Sequence, residues 1–123
     1  MRTPVTERAA LDAAHALLAA DGAPVTVIRD SAGFIAQRIV AGIVNVGADI
    51  AQQRIAAPDD IDPAVEMGLG YPRGPLKFGD DLGPHRILRI LEAMQAFYGD
   101  PRYRPSPWLK RRALLGVPLT TGE

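Results

Sequence analysis

The chemistry-bearing side chains of this chain fall into a few groups. Asp59, Asp60, Asp62 and Glu66 form an acidic cluster. A calcium loop needs alternate oxygen ligands, a central glycine and a closing bidentate glutamate, and that order is absent. Carboxylates at helix starts are favoured by the helix dipole, so capping is the better account. His15 and His85 lie far apart and show no paired zinc spacing, and no partner marks either as a general base. Arg102, Arg104, Lys110, Arg111 and Arg112, with Tyr103 and Trp108 among them, are the only basic concentration. A phosphate or nucleic-acid patch could look like this. Three of those cations stand where a helix C-terminus favours them, however, and net charge is zero, with 14 Lys and Arg against 14 Asp and Glu. GLGYPRG contains G-x-G but lacks the strand-turn-helix setting of a dinucleotide fingerprint. No nucleophile elbow or Ser/His/Asp arrangement can be assembled. The last group is one residue: Gln37, an amide in the first turns of an otherwise apolar helix after DSAGFIAQR.

Composition narrows the classes. A chain of 123 residues can bury a core without staples. With 47% hydrophobic and 23% charged residues it has the mix of an ordinary globular protein. The absence of cysteine excludes disulfides, thiolate metal sites and a cysteine nucleophile, and a reducing cytoplasm is the simplest setting. The first residues do not read as a signal peptide, and no segment offers the ~20 uninterrupted apolar residues of a membrane helix.

The elements that must position these residues are mostly helical. Thr3-Pro4 reads as an N-cap with proline at the first helical position, and Asp21-Gly22 as the stop. Val25 to Ile28 is the only good strand, and it needs a partner elsewhere: another domain or a second copy. A long helix is expected from Phe34 to Ile55, with one apolar stripe at Ile35, Ile39, Ile43, Val46 and Ile50. Phe34, Ala41, Val44, Ala48 and Ala51 make a second, leaving Arg38, Asn45, Asp49 and Gln52 as a narrow polar side. Gly42 and Gly47 suggest close helix approach. Pro58 and Pro63 start two short helical pieces, with Asp62 capping the second; Gly68 to Gly83, rich in glycine and proline, reads as an ordered loop. Pro84 opens a helix to Tyr98, burying Ile87, Leu88, Leu91, Met94 and Tyr98. Ser106-Pro107 caps a last helix ended by Gly116 and Pro118, and the tail LTTGE is expected to fray. The fold class is all-α: a helical bundle around a long central helix, with one short N-terminal strand, in a single domain spanning 1–123.

VIRDSAGFIAQRI followed by PDDIDPAVEMGLGYPRGPLKFGDDLG resembles the C-terminal domain of 3-hydroxyacyl-CoA dehydrogenases. Members typically show D-x-P-G-F-I-x-N-R opening a long helix, then E-D-I-D-x-A-M, G-x-G-Y-P-x-G-P and D-x-x-G. DPRYRPSPWLKRRALLG is similar to the segment before the family's glycine-rich tail, so the resemblance covers about residues 3 to 116. It is closest to the degenerate second copy of this domain found in some bacterial two-copy enzymes.

The resemblance implies a bundle of the 6-phosphogluconate dehydrogenase C-terminal type. It also implies a parent enzyme whose Rossmann domain binds NAD, carries a catalytic His–Glu pair, and oxidises 3-hydroxyacyl-CoA to 3-oxoacyl-CoA. Residues 1–30 resemble the trailing helix and strand of that domain. The helical domain itself closes the acyl-CoA cleft and makes most of a dimer interface. Substrate-pocket roles carry over to Phe34, Gln37, Arg38, Tyr71 and Pro72, and structural motif roles to Gly33, Asp60, Ile61, Asp62, Gly70, Gly74, Pro75, Asp80 and Gly83. No catalytic, cofactor-binding or metal-binding residue carries over. There are departures: Ala32 replaces the motif proline, Val46 a frequent glutamate, and the usual tail motif is missing. Gln37 takes the place of a substrate-facing asparagine, which moves the amide by roughly 1.5 Å, and a shift of about 1 Å can already cost a large rate factor. The isolated chain is therefore expected not to be catalytic. Its expected partners are a second copy, the parent's Rossmann domain and acyl-CoA, with no nucleic acid and no membrane. A standalone dimerisation module is the alternative.

Overall fold

The computed structural model describes residues 1–122, and its contacts group into two compact units, Met1–Ser31 and Ala32 onward. In the first unit, helix α1 spans Arg8–Leu18 and starts later than Thr3-Pro4 suggested. The Thr3 amide donates to Thr6 Oγ1 at 2.9 Å and the Thr6 amide to Thr3 O at 3.1 Å. That closes a local turn in which Thr3 is not free to cap a helix. No residue of α1 is buried, and Leu17 is 78% exposed. The Val25–Ile28 run forms no strand. One parallel bridge joins Arg2 to Arg29, with Arg2 N–H donating to Ile28 O at 2.9 Å and Asp30 N–H to Arg2 O at 2.8 Å. A β-branched run without a neighbouring strand has nothing to ladder with.

The second unit is a helical bundle of α2 (Ala36–Gln52), α3 (Pro58–Leu69), α4 (Pro75–Leu82), α5 (Pro84–Tyr98) and α6 (Pro107–Leu115), with a 3-10 turn at Pro101–Tyr103 before α6. Helix α2 is central and packs on α3, α4, α5 and α6. Only one of its two apolar stripes is covered. Ala41, Val44, Ala48 and Ala51 are buried with Leu76, Ile87, Leu91, Met94 and Leu109, whereas Ile39 and Val46 are 55% and 62% exposed. Asn45, expected on the polar side, is buried: its Nδ2 donates to Arg104 O at 2.9 Å and its Oδ1 accepts from Ser106 N–H at 2.7 Å. It ties the central helix to the entry of α6. The Ser106 hydroxyl caps nothing and is buried without a hydrogen-bond partner.

Pro63 lies inside α3, which is one helix rather than two short pieces. Pro63 and Asp59 are both exposed, so water can satisfy the carbonyl that proline leaves without an N–H. Asp62 does not cap α3. It caps the next helix, accepting from the Leu76 and Lys77 amides at 2.8 and 2.9 Å, while Glu66 accepts from Gly74 N–H at 2.8 Å. These bonds turn the expected loop into α4. Pro75 sits at the first helical position, where a missing N–H costs nothing, and the remaining orphan amides meet carboxylates reached from another helix.

Gly47 lets α4 approach closely, since a Cβ there would lie 2.6 Å from Pro75 Cβ; Gly42 has nothing within 4 Å of such an atom. The expected fraying of the tail is not observed. Leu119 is fully buried, its amide donating to Asp80 Oδ1 at 2.6 Å and its carbonyl accepting from Trp108 Nε1 at 2.9 Å. Arg112 Nη2 holds Thr121 O at 2.7 Å; Glu123 lies outside the described residues. Tyr98 is 39% exposed rather than buried.

Candidate functional site

The site is built from the turn that leads into α2 and from the flank of α5. Gly33 and Phe34 both have positive φ, 82° and 49°. Glycine suits position 33 chiefly for that backbone; an added Cβ would also lie 2.5 Å from Met94 Sδ, which would have to move aside. Phe34 adopts a conformation uncommon for a bulky side chain, so something must hold it. Arg38 does so, donating from Nη2 to Ala32 O at 2.8 Å and from Nη1 to the Tyr103 hydroxyl at 3.0 Å, while the Tyr98 hydroxyl also reaches Ala32 O, at 3.3 Å. The Arg38 guanidinium lies 4.9 Å from the Tyr98 ring centroid and 5.8 Å from that of Tyr103.

Phe34 and Gln37, both exposed, face an open groove of about 590 Å³ shared with Arg86, Arg89, Ile90 and Met94. Its walls are largely apolar, with the Gln37 amide, the Arg86 and Arg89 guanidiniums and the Glu92 carboxylate as polar features. The other expected pocket residues sit elsewhere. Arg38 and Tyr71 line a second groove of about 550 Å³, walled by Ile39, Ile43, Val46, Ile50 and Leu69, and Pro72 is exposed and lines neither. Arg86 and Arg89 were not singled out from sequence. Their spacing, three apart on one helix, was the available signal.

The motif residues act as caps and close approaches. Gly70 and Gly83 end α3 and α4 with positive φ. Ile61 is in the core, Asp60 is exposed in the first turn of α3, and Gly74 leaves no room for a Cβ against Asp62. Arg73 forks onto Asp81, Nε to Oδ2 at 2.7 Å and Nη2 to Oδ1 at 3.0 Å. Those hydrogen bonds hold the Asp81 carboxyl below its ordinary range and raise Arg73 further.

The C-terminal cations do not form one patch. Arg102 pairs with Asp100 at 2.6 Å, Lys110 with Glu92 at 3.6 Å, and Arg112 is buried against Trp108 and the tail. His15 Nε2 lies 3.3 Å from Val25 O. Among the described residues, no group of three His, Asp or Glu could hold a metal ion. NAD does not fit the G-x-G segment either. The helix that follows it has its N-terminal amides occupied by the Asp62 and Glu66 carboxylates, where a pyrophosphate would have to sit.

Residues 33–121 match the family model of the 3-hydroxyacyl-CoA dehydrogenase, C-terminal domain. The chain is 47% identical over 94 residues to an Escherichia coli protein named 3-hydroxyadipyl-CoA dehydrogenase, covering 76% of this chain and 20% of that one. A probable 3-hydroxybutyryl-CoA dehydrogenase of Bacillus subtilis is 31% identical over 111 residues, 90% of this chain and 38% of its own length. Among solved structures, an Escherichia coli 3-hydroxybutyryl-CoA dehydrogenase aligns with a TM-score of 0.83 at 43% identity, over 91% of this chain and 24% of that one. Mycobacterium tuberculosis FadB2 aligns with a TM-score of 0.87 at 28% identity, over 94% and 41%. This chain thus spans about a fifth to two fifths of the length of these four proteins. It belongs to the 3-hydroxyacyl-CoA dehydrogenase C-terminal domain family.

Proposed function

We propose that this chain is the substrate-cleft and dimerisation domain of an enzyme that oxidises 3-hydroxyacyl-CoA to 3-oxoacyl-CoA with NAD, and that it is not catalytic by itself. The observation that carries this reading is the strained Gly33–Phe34 turn, clamped by Arg38, which presents Phe34 and Gln37 to an open, mostly apolar groove. Such a wall can take an acyl chain along Phe34, Ile90 and Met94, while the Gln37 amide donates to or accepts from a substrate oxygen. Residues 1–30 are then the trailing part of the nucleotide-binding domain, whose sheet would complete the solitary Arg2–Arg29 bridge. NAD, bound on that other domain, would accept the hydride. The residues described here only bind and orient.

Two assays on the 123-residue chain test the proposal. Acetoacetyl-CoA with NADH should show no turnover, whereas titration with an acyl-CoA should show saturable binding that is weakened by Gln37→Ala. Turnover traceable to this chain, or no binding at all, would overturn it. The second reading, a dimerisation module without a ligand, is favoured by the exposed Ile39 and Val46 on α2; it predicts self-association with no response to acyl-CoA.

A further inference from the structure

The groove beside Gln37 has a polar end that the proposed function does not use. Arg86 and Arg89 both line it, both are exposed, and neither guanidinium has a carboxylate partner among the described residues. Three other exposed arginines are paired, Arg8 with Asp12, Arg73 with Asp81 and Arg102 with Asp100; what sets Arg86 and Arg89 apart is that both line this one groove. Glu92, which also lines the groove, is engaged by Lys110 at 3.6 Å from the neighbouring helix.

The order along α5 gives the groove a direction. Met94 abuts Gly33 and marks the end at the α2 turn. Arg89 and Arg86 lie five and eight residues earlier, roughly 8 and 12 Å along the helix axis at 1.5 Å per residue. Between them Ile90 and Ala93 supply apolar wall. An occupant matching this pattern has an apolar middle and an anion at its far end. Two guanidiniums three residues apart on one helix can share a carboxylate, a planar acceptor with two oxygens.

We propose that Arg86 and Arg89 are specificity-determining residues that grip a carboxylate at the distal end of the acyl chain, so that the preferred ligand is a medium-length dicarboxylyl rather than a simple fatty-acyl thioester. This rests on the acyl-cleft reading above. The arginines are not catalytic residues; they select the chain by its end group.

Calorimetric titration of the full chain with adipyl-CoA and hexanoyl-CoA, which have the same carbon count, tests it. Each would be run on the unaltered chain and on an Arg86→Gln/Arg89→Gln variant whose circular dichroism confirms folding. Adipyl-CoA should bind about tenfold more tightly, the expected advantage of charge-assisted hydrogen bonds discounted for solvent exposure, and the double variant should erase that advantage while leaving hexanoyl-CoA unchanged. Equal affinities with no effect of the variant would overturn the arginine assignment and leave the cleft reading standing. Equal weakening of both ligands by the variant would assign the arginines to coenzyme phosphates and also overturn it. Failure of both acyl-CoAs to bind would overturn the cleft reading itself, and this inference with it.

Discussion

Asp62 is 1% exposed, and its carboxylate is surrounded by what it caps. Two backbone amides of α4 donate to it at 2.8 and 2.9 Å, bonds that a charged acceptor makes stronger than neutral ones. Replacing it with alanine leaves both amides without their acceptor, and the expected cost is about 3 kcal/mol from the loss of two charge-assisted bonds. Urea unfolding of Asp62→Ala measures this; a loss below roughly 0.5 kcal/mol, the range of an ordinary surface change, would refute the capping role. Asp81 makes a gentler case. Its carboxyl is held low by hydrogen bonds from Arg73, so its contribution is present above the unfolded carboxylate value and is lost as pH falls through the depressed folded value. Both side chains are about half exposed, so salt screens the pair and its share of stability is small. Arg73→Gln should return the Asp81 titration towards the ordinary range in a carboxylate NMR experiment. An unmoved titration would show that Arg73 is not the cause.

Among the elements, α5 was the most legible: its bounds from Pro84 to Tyr98 and the burial of Ile87, Leu88, Leu91 and Met94 at helical spacing were readable, although Tyr98, expected on the same side, is 39% exposed. Helix α4 was not, because its capping groups come from Asp62 and Glu66 on α3, contacts that local sequence cannot display. The docked tail was hidden for the same reason, since Asp80 and Trp108 hold it from other helices. On α2 the periodicity marked two neighbouring apolar stripes but could not say which faces the core, because an almost wholly apolar circumference gives no contrast. The site shows a similar division. Gln37 and Arg38, both named through the motif around them, part in space: Gln37 lines one groove, whereas Arg38 clamps the turn and lines the other. The two α2 glycines, alike in sequence, separate in space. Gly47→Ala should destabilise the chain by about 1–3 kcal/mol, because the new methyl strikes Pro75 at 2.6 Å. Gly42→Ala, with open space around it, should stabilise the monomer by up to about 1 kcal/mol through helix propensity. Thermal melts of the two variants that move in the same direction would contradict the packing.

At the scale of the whole molecule, the open question is what covers the second stripe of α2. Ile39 and Val46, each more than half exposed, flank half-buried Ile43 and Ile50 on one wall of the 550 Å³ groove, with Leu69 opposite at 66% exposure. A continuous apolar face of this kind is unusual on a monomer, which makes it a candidate surface for association. Two copies of one helix face can meet about a twofold axis, where the same residues serve both sides, and the open space at Gly42 allows the two backbones to come close. The chain should therefore run as a dimer in gel filtration coupled to light scattering. Val46→Arg, placing a charge in the middle of that face, should shift it to monomer while leaving the helical circular dichroism intact, because Val46 is 62% exposed within the chain itself and contributes little to its core. Burying an unpaired guanidinium at an apolar contact costs several kcal/mol, which is enough to dissociate a modest interface. A wild-type chain that stays monomeric at high concentration would refute the twofold contact through the α2 face. In that case Val46→Arg would leave the mass unchanged.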